Sequence, residues 1–403
     1  MTSSELYHGF GLQGYRTRAS LFESGKIIIV IESTKPPRCS SCNSRDVVCR
    51  GQVFRDFLGL CIGIKKVFFR LAIQRVACRL CGCVRQVNVD FASPRRSYTK
   101  RVERFVLCLL RIATIKDVAY ITGLGWDVVK DILKRSLQQR FHRPCLKGVR
   151  RIAVDEIAIG KGHRYLTVVL DLDSGRVLFV GEGKGADALK PFWKRVCRCK
   201  QCKIRAVAID MSPAYISAVQ KNLPAVKMVF DHFHITQLCN KMLGNLRKAL
   251  YRKATEEQKK VLKGTRWLLL KNQENLDPKR REKQRLQVAL DLNAPLFVAY
   301  YLKEELRQFW QCDNKTQAER FLLDWCARAE AAGIQHLKRF AQTIAGHRTD
   351  LLAWYDEPIS TGPLEGTNNK IKTMKRQAYG YRDIEFFKLK IKALHETKYA
   401  LVG

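Results

Sequence analysis

The stretch RIAVDEIAIGKGHRYLTVVLDL, Arg151 to Leu172, decides how the rest of the chain is read. A short β-branched run carries Asp155 and Glu156 toward its end, Gly160 and Gly162 supply a turn, and a second apolar run follows. That is the pattern of a β-hairpin with a carboxylate in its first strand. A lone strand Asp is ordinarily a solvated edge residue or a turn former, so Asp155 gains meaning only from what lies downstream. Arg176 to Gly181 reads as a third strand after a turn at Gly175, Ala186 to Val196 as a helix, and Ile204 to Ile209 as a fourth strand that delivers Asp210 at its end. Pro213 to Leu223 is a proline-initiated helix. Lys227 to Phe230 is a fifth strand ending in DHFHI, and another helix follows.

Three antiparallel strands followed by alternating helix and parallel strand is the order of an RNase H-like sheet. In that order the first and fourth strands are neighbours, which sets Asp155 beside Asp210. Strand alternation sends Glu156 to the other face and leaves it outside the constellation. The glycines of GEGKG, residues 181–185, mark a strand-to-helix turn; without a following Lys-Ser/Thr they do not make a phosphate cradle.

Bulk composition sets the partner class. In 403 residues, 46% of them hydrophobic, there is room for several domains with a buried core. Lys and Arg number 74 against 37 Asp and Glu, and the resulting +37 is spread along the chain, which points to a polyanion and first of all to nucleic acid. The N-terminus has no apolar signal region, and the longest apolar runs, such as Ile27 to Ile31, are too short for a bilayer. A cytoplasmic protein without a membrane partner is expected. The 15 cysteines are odd in number and partly paired as CxxC, a pattern of metal binding and free thiols in a reducing compartment.

Upstream of the hairpin, KIIIVIES is a strand-length apolar run, and PPRCSSC and RVACRLCGC follow it. Cys39 and Cys42 form one CxxC and Cys78 and Cys81 a second, with Val67 to Val76 between them reading as strand. Two such knuckles on hairpins gather four thiolates around one structural Zn²⁺, the arrangement of a zinc ribbon. The gap between them is longer than usual and implies an extra hairpin; Cys83 is an alternative to Cys81 as ligand. After a basic hinge (Arg95, Arg96, Lys100, Arg101), Val102, Phe105, Val106, Leu109 and Leu110 keep helical period. Thr114 caps a helix through Ile121, Gly123 and Gly125 make the turn, and Trp126 to Leu137 forms a second amphipathic helix, the pattern of a helix-turn-helix. Its Asp127, Lys130, Asp131, Lys134 and Arg135 are expected to face DNA or solvent.

Downstream, strand signal disappears between about Arg247 and Tyr355, and the aromatics there, including Trp310 and Trp325, read as the core of an all-helical insertion. STGPLEGTNNKIKTMKRQAYGYRD then places Glu365 at the start of a helix whose later turns carry Lys370, Lys372, Lys375 and Arg376. A strand Asp, a neighbouring strand-end Asp and a helix Glu are the acceptor-only oxygens that two Mg²⁺ (or Mn²⁺) need for phosphodiester chemistry, with basic residues beyond them for phosphates. The plain alternative for Glu365 is a helix N-terminal preference. Cys197, Cys199 and Cys202 lack a fourth partner nearby and are not counted as a metal site.

These pieces, above all STGPLEGTNNKIKTMKRQAYGYRDIEFF together with AVDEIAIGKGHRYLTVVLDLDSGRVL, AIDMSPAY, VFDHFHI, RVACRLCG and AYITGLGWDVVKDIL, resemble the ISL3 group of insertion-sequence transposases over nearly the whole chain. The resemblance implies a multidomain α+β fold: a zinc ribbon, a helix-turn-helix, and an RNase H-like αβα catalytic domain interrupted by an all-α insertion. It implies catalysis by Asp155, Asp210 and Glu365. Asp231 and His234 match a DxxH pattern, with the His near the scissile phosphate, and the wide spacing of the Cys pairs recurs in the family. Segments 1–92, 93–148, 149–246, 247–355 and 356–403 are the expected ribbon, helix-turn-helix, first catalytic part, insertion and last catalytic part. The implied partners are double-stranded DNA, as terminal inverted repeats and target, and further copies of the chain in a dimer or larger assembly on that DNA.

The expected function is cleavage at the element ends and transfer of the 3′-hydroxyl strands to target DNA. A non-catalytic DNA-binding regulator derived from such an enzyme has no use for clustered carboxylates that repel phosphate. A junction nuclease on the same sheet leaves the ribbon, the helix-turn-helix and the helical insertion unexplained.

Overall fold

The computed structural model describes residues 1–23, 25–160 and 162–395; they fall into two units, Met1–Gln139 and the residues from Arg140 onward. In the first unit a capping box between Thr2 and Glu5 starts helix α1 (Ser3–Phe10). Strands β1 (Tyr15–Glu23), β2 (Lys26–Ser33), β3 (Val47–Leu58), β4 (Lys66–Cys78) and β5 (Val84–Gln86) follow. Their order is β1-β2-β4-β3 with β5 on β4, so the KIIIVIES run pairs with the module after it, parallel to β4. In β4 every second residue from Val67 to Ile73 is buried, and these side chains close a core with Leu6, Phe10, Ile29, Phe57 and Phe91. One long antiparallel hairpin, β3 with β4, spans the gap between the two CxxC pairs. Helix α1 and strand β1 escape the sequence reading, because β1 is exposed along most of its length and carries no apolar alternation.

Three helices complete this unit: α2 (Lys100–Leu109), α3 (Ile115–Thr122) and α4 (Trp126–Phe141). Thr114 caps α3 through a box with Asp117, and Gly123 ends it with φ of 64°, a left-handed conformation in which glycine is least strained. Val106, Val118 and Val129, one from each helix, are fully buried.

The second unit is built on a sheet ordered β10-β9-β6-β7-β8. Its strands are β6 (Arg151–Gly160), β7 (Arg164–Asp171), β8 (Val177–Glu182), β9 (Ala206–Ile209) and β10 (Lys227–Phe230). Strands β6, β7 and β8 are antiparallel neighbours, whereas β9 runs parallel to β6 and β10 parallel to β9. All four residues of β9 and Ile152 to Val154 of β6 are buried, as suits strands covered on both faces. Helices α5 (Ala186–Arg198) and α6 (Pro213–Asn222) connect β8 to β9 and β9 to β10. Gly181 lets α5 approach, since a Cβ there would lie 2.4 Å from the Ala188 carbonyl oxygen.

Helix α7 (His232–Lys253) runs unbroken through the boundary expected at residues 246 and 247, so the helical region is entered along a helix of the sheet domain and not through a linker. Helices α8 (Glu256–Leu262), α9 (Arg266–Leu270), α10 (Glu282–Asp291), α11 (Ala294–Leu306), α12 (Lys315–Ala331), α13 (Gln335–Gly346) and α14 (Arg348–Leu352) follow. Trp325 is wholly buried with its indole N–H donated to the Leu302 carbonyl at 2.9 Å, and Phe309, Leu322, Phe340 and Ile344 share its core. Trp310, partly buried, packs against the same cluster. Helices α15 (Gly362–Gln377) and α16 (Ile384–Lys392) return the chain to the sheet, α15 against β6 and α16 against β8. The end of the segment expected at 356–403 lies, beyond residue 395, outside the described residues.

Candidate functional site

The parallel register pairs Arg151 with Ala206, Ile152 with Val207 and Ala153 with Ala208. Carried two residues further, it brings Asp210 level with Asp155. Both carboxylates are half-buried, and Asp210 accepts the Ser212 N–H at 3.0 Å in the turn before α6. Asp155 Oδ1 accepts the Glu156 N–H at 2.7 Å, and Oδ2 accepts the Asn368 side-chain amide at 2.8 Å. Burial, above all, raises the Asp155 carboxyl over the usual aspartate range; the Glu156 N–H and His234 oppose the rise, while the charges of Asp210 and Glu156 add to it. His234 therefore stands within electrostatic reach of Asp155. Glu156 leaves by the opposite face, where it accepts the Tyr215 hydroxyl of α6 at 2.6 Å.

Glu365 lies in the first turn of α15, exposed, with Asn368 one turn later on the same side of the helix. Three links hold this helix. Asp231, buried at the N-cap of α7, accepts the Thr361 N–H at 2.5 Å and its hydroxyl at 2.6 Å, and so ties the end of β10 to the start of α15. Asn368 ties the middle to Asp155, and Lys375 donates from its ammonium to the Ile159 carbonyl of β6. Burial pushes Asp231 upward, but hydrogen bonds from His232, Thr361 and Phe233 outweigh it and hold the carboxyl well below its ordinary value. Asp231 is an anchor for α15, and His234 lies three residues on in the first turn of α7.

The sequence reading overlooked Asn368 although it sits inside the quoted motif. Its signal was the spacing of three from Glu365. Asn368 is 4% exposed, and no described donor reaches its Oδ1.

Among the described residues, one group of three or more Cys, His, Asp and Glu has all its ligand atoms within 4.8 Å of one another: Cys39, Cys42, Cys78 and Cys81. Asp155, Asp210 and Glu365 do not close to that distance. In the Cys group the sulfurs of Cys39 and Cys81 are 3.6 Å apart and those of Cys42 and Cys78 3.5 Å, close to the edge of about 3.8 Å implied by Zn–S bonds of about 2.3 Å in a tetrahedron. The two knuckles repeat one backbone plan. Asn43 and Gly82, each just after the second Cys, have φ of 61° and 68° and return their N–H groups to the carbonyls of Cys39 and Cys78. Backbone N–H groups of Cys42 and Ser41 hold the Cys39 thiol down, at about 6. Cys81 is the fourth member, and Cys83 stands outside as a carbonyl acceptor for the Cys78 N–H. Cys199 and Cys202 pack against the core of the second unit.

The basic residues divide. Lys370, Lys372 and Arg376 are exposed on α15, whereas Lys375 is engaged with β6. In α4, Lys130 lies over the Trp126 ring at 5.6 Å, and Lys134 is half-buried. Arg135, half-buried, donates to the Tyr98 hydroxyl at 3.0 Å and to Glu103 at 2.9 Å, and pairs with Asp131, which also meets Arg96. These charges link α4 to α2 and to the hinge.

Comparison with known proteins finds transposase matches in both units. A family model described as a transposase matches residues 152–391, and the helix-turn-helix domain of transposase family ISL3 matches residues 87–137. The transposase for insertion sequence element IS1001 of Bordetella parapertussis is 33% identical over 358 residues, 88% of each chain. The transposase for insertion sequence element IS1557 of Mycobacterium tuberculosis is 27% identical over 372 residues, 86% of this chain and 82% of that one.

Proposed function

The chain belongs to the ISL3 family of insertion-sequence transposases, DNA-transposing enzymes with a DDE domain and a helix-turn-helix, and from that premise we propose that Asp155, Asp210 and Glu365 are its catalytic carboxylates. The observation that carries the reading is the β6–β9 register, which aligns Asp155 with Asp210, while α15 packs on β6 with Glu365 in its first turn. The sheet order, three antiparallel strands followed by two parallel ones added at β6, supports an RNase H-like domain.

A DDE domain implies divalent metal, and these three oxygen donors suit Mg²⁺ or Mn²⁺. When bound, such ions activate a water or a DNA 3′-hydroxyl as nucleophile and stabilise the leaving oxygen. The chain's own part is positional. Asp155 and Asp210 are fixed by backbone N–H groups of the residues beside them, so their oxygens keep a set direction. Asp231 fixes the entry of α15 and with it the height of Glu365 above the sheet. Lys370, Lys372 and Arg376 offer charge to the phosphates of the cleaved strand, and His234 offers a donor near Asp155. In the first unit, Cys39, Cys42, Cys78 and Cys81 would hold one structural Zn²⁺, and α3 and α4 present the helix-turn-helix to the element's ends as the chain assembles on DNA in two or more copies.

The test is strand cleavage on end-containing DNA with Mg²⁺ or Mn²⁺. Asp155→Asn, Asp210→Asn and Glu365→Gln should each abolish nicking and joining while end affinity stays within a few fold. Undiminished cleavage by any one of the three would remove that residue from the triad. The regulator reading predicts no metal-dependent nicking by the unmodified chain.

A further inference from the structure

We propose that Tyr215 and Glu156 are positioning residues of the catalytic site: the hydrogen bond between them, on the far face of the sheet, holds the Asp210 turn against Asp155 so that both carboxylates meet one cation. The inference rests on the reading of Asp155 and Asp210 as catalytic carboxylates.

The sheet alone does not fix that pair. The register of β6 with β9 runs from Arg151 and Ala206 to Ala153 and Ala208 and ends there, two residues short of both carboxylates. Like charges side by side repel, and the charge of Asp210 is felt at Asp155. A chain of hydrogen bonds runs from one carboxylate to the other and opposes that repulsion. Ser212 donates its N–H to Asp210 Oδ1 at 3.0 Å, and Tyr215 its N–H to the Ser212 carbonyl at 3.1 Å. The Tyr215 hydroxyl donates to Glu156 Oε2 at 2.6 Å, and the Glu156 N–H to Asp155 Oδ1 at 2.7 Å. Every other link joins near neighbours in sequence; the bond from Tyr215 to Glu156 alone crosses from α6 to the sheet, 59 residues apart.

The surroundings are built for that bond. Tyr215 is 1% exposed, in one apolar cluster with Ile152 and Val154, the preceding residues of β6 on this face. Half-buried Glu156 is where the face turns polar. A carboxylate oxygen at this separation from a hydroxyl makes a strong, charge-assisted bond. The hydroxyl has one proton to give, and its lone pair receives the Gly185 N–H at 3.2 Å. Thr167, opposite Glu156 on β7, stands 3.2 Å from the same hydroxyl and donates its own proton to the Gly183 carbonyl at 3.0 Å. The glycine turn at 181–185 is thereby tied to the same cluster. Tyr215 and Glu156 touch neither metal nor DNA in this account; they act through the two aspartates.

The test uses the full-length protein and Mn²⁺ as probe. Binding is followed without DNA by the loss of the free Mn²⁺ resonance signal, and cleavage of end-containing DNA is measured across a Mn²⁺ titration. Tyr215→Phe removes one hydroxyl and leaves every charge in place. It should raise the Mn²⁺ concentration for half-saturation about tenfold in both measurements, the usual effect of losing such a partner, while cleavage at saturating Mn²⁺ stays within about threefold. The rate recovers because a bound cation draws the two carboxylates together. A role in folding alone would lower cleavage at every Mn²⁺ concentration and leave half-saturation unchanged, and that outcome overturns the inference. Glu156→Gln and Glu156→Ala lose the same charge, but only the Gln keeps an oxygen for the Tyr215 hydroxyl. The Gln variant should therefore bind Mn²⁺ more tightly than the Ala variant, by about the factor that Tyr215→Phe loses. Equal affinities in the two Glu156 variants overturn the inference as well, and either comparison carries the test if a variant in the other does not fold. Asp155→Asn in the same assays separates the two levels. Its loss of Mn²⁺ binding beside an unshifted Tyr215→Phe sinks the positioning pair alone, whereas its full retention of binding and cleavage sinks the carboxylate reading.

Discussion

At the scale of single residues, the site is a contest between burial and local donors, and two aspartates settle it in opposite ways. Asp155 is raised because burial exceeds what the Glu156 N–H and His234 return. Asp231 is lowered because His232, Thr361 and Phe233 together exceed its burial. A carboxyl whose folded value lies below its unfolded value near 3.9 contributes stability that is complete above that value and is lost as pH falls through the folded one. Asp231→Asn should therefore cost about 2 kcal/mol at pH 5, the scale of a charged hydrogen bond. The difference from the unmodified protein should shrink at pH 3 and below in urea unfolding followed by circular dichroism. A gap that does not change with pH would assign the loss to packing instead.

At the scale of elements, the two knuckles and the helix-turn-helix each rest on a few backbone positions. The left-handed residues Asn43 and Gly82 turn both CxxC loops back so that their four sulfurs face one another, joined by the β3–β4 hairpin. The unmodified protein should carry one zinc ion per chain by elemental analysis, and Cys39→Ser or Cys78→Ser should lose it and weaken end binding. Full zinc content in either variant would displace that Cys from the ligand set. The α3 capping box is smaller in effect: Thr114→Ala should cost about 1 kcal/mol. In α4, Arg135→Ala removes three partners within the unit, so it should lower the melting temperature without altering how end affinity depends on salt.

At the scale of the whole molecule, +37 of formal charge governs association more than folding. End affinity should fall by about 10³ or more between 50 and 200 mM salt if six or more phosphates are contacted. Lys372→Ala should reduce the slope of log affinity against log salt by about one, because Lys372 is exposed on α15, where Lys375 is already spent on β6. An unchanged slope would take Lys372 off the DNA path. No described helix is long and apolar enough to cross a membrane. In the helical region the charge is partly internal: Lys303 is buried and donates to the Lys271 carbonyl at 2.9 Å, while Lys271 pairs with the buried Glu282 at 2.6 Å.

Period and punctuation in the sequence were enough for the order of strands and helices from Arg151 to Phe230, the two knuckles, and the Thr114 to Leu137 helical pair. The reason is that each of these is determined locally, by alternation, by a cap or by a left-handed turn. Strand order also carried Asp155 to Asp210, since a crossover that returns a parallel strand beside the first leaves few alternatives. Edge strand β1 was illegible because nothing covers most of its side chains, so no apolar pattern marks it. Only the folded chain decided that α7 runs on into the helical region, that Arg135 pairs with Glu103 of α2, and that Asp231 anchors α15 across 130 residues of sequence. The same holds for Asn368 against Asp155, 213 residues apart. Such contacts depend on which face a helix turns to its neighbour, and that is settled by the packing of the whole core.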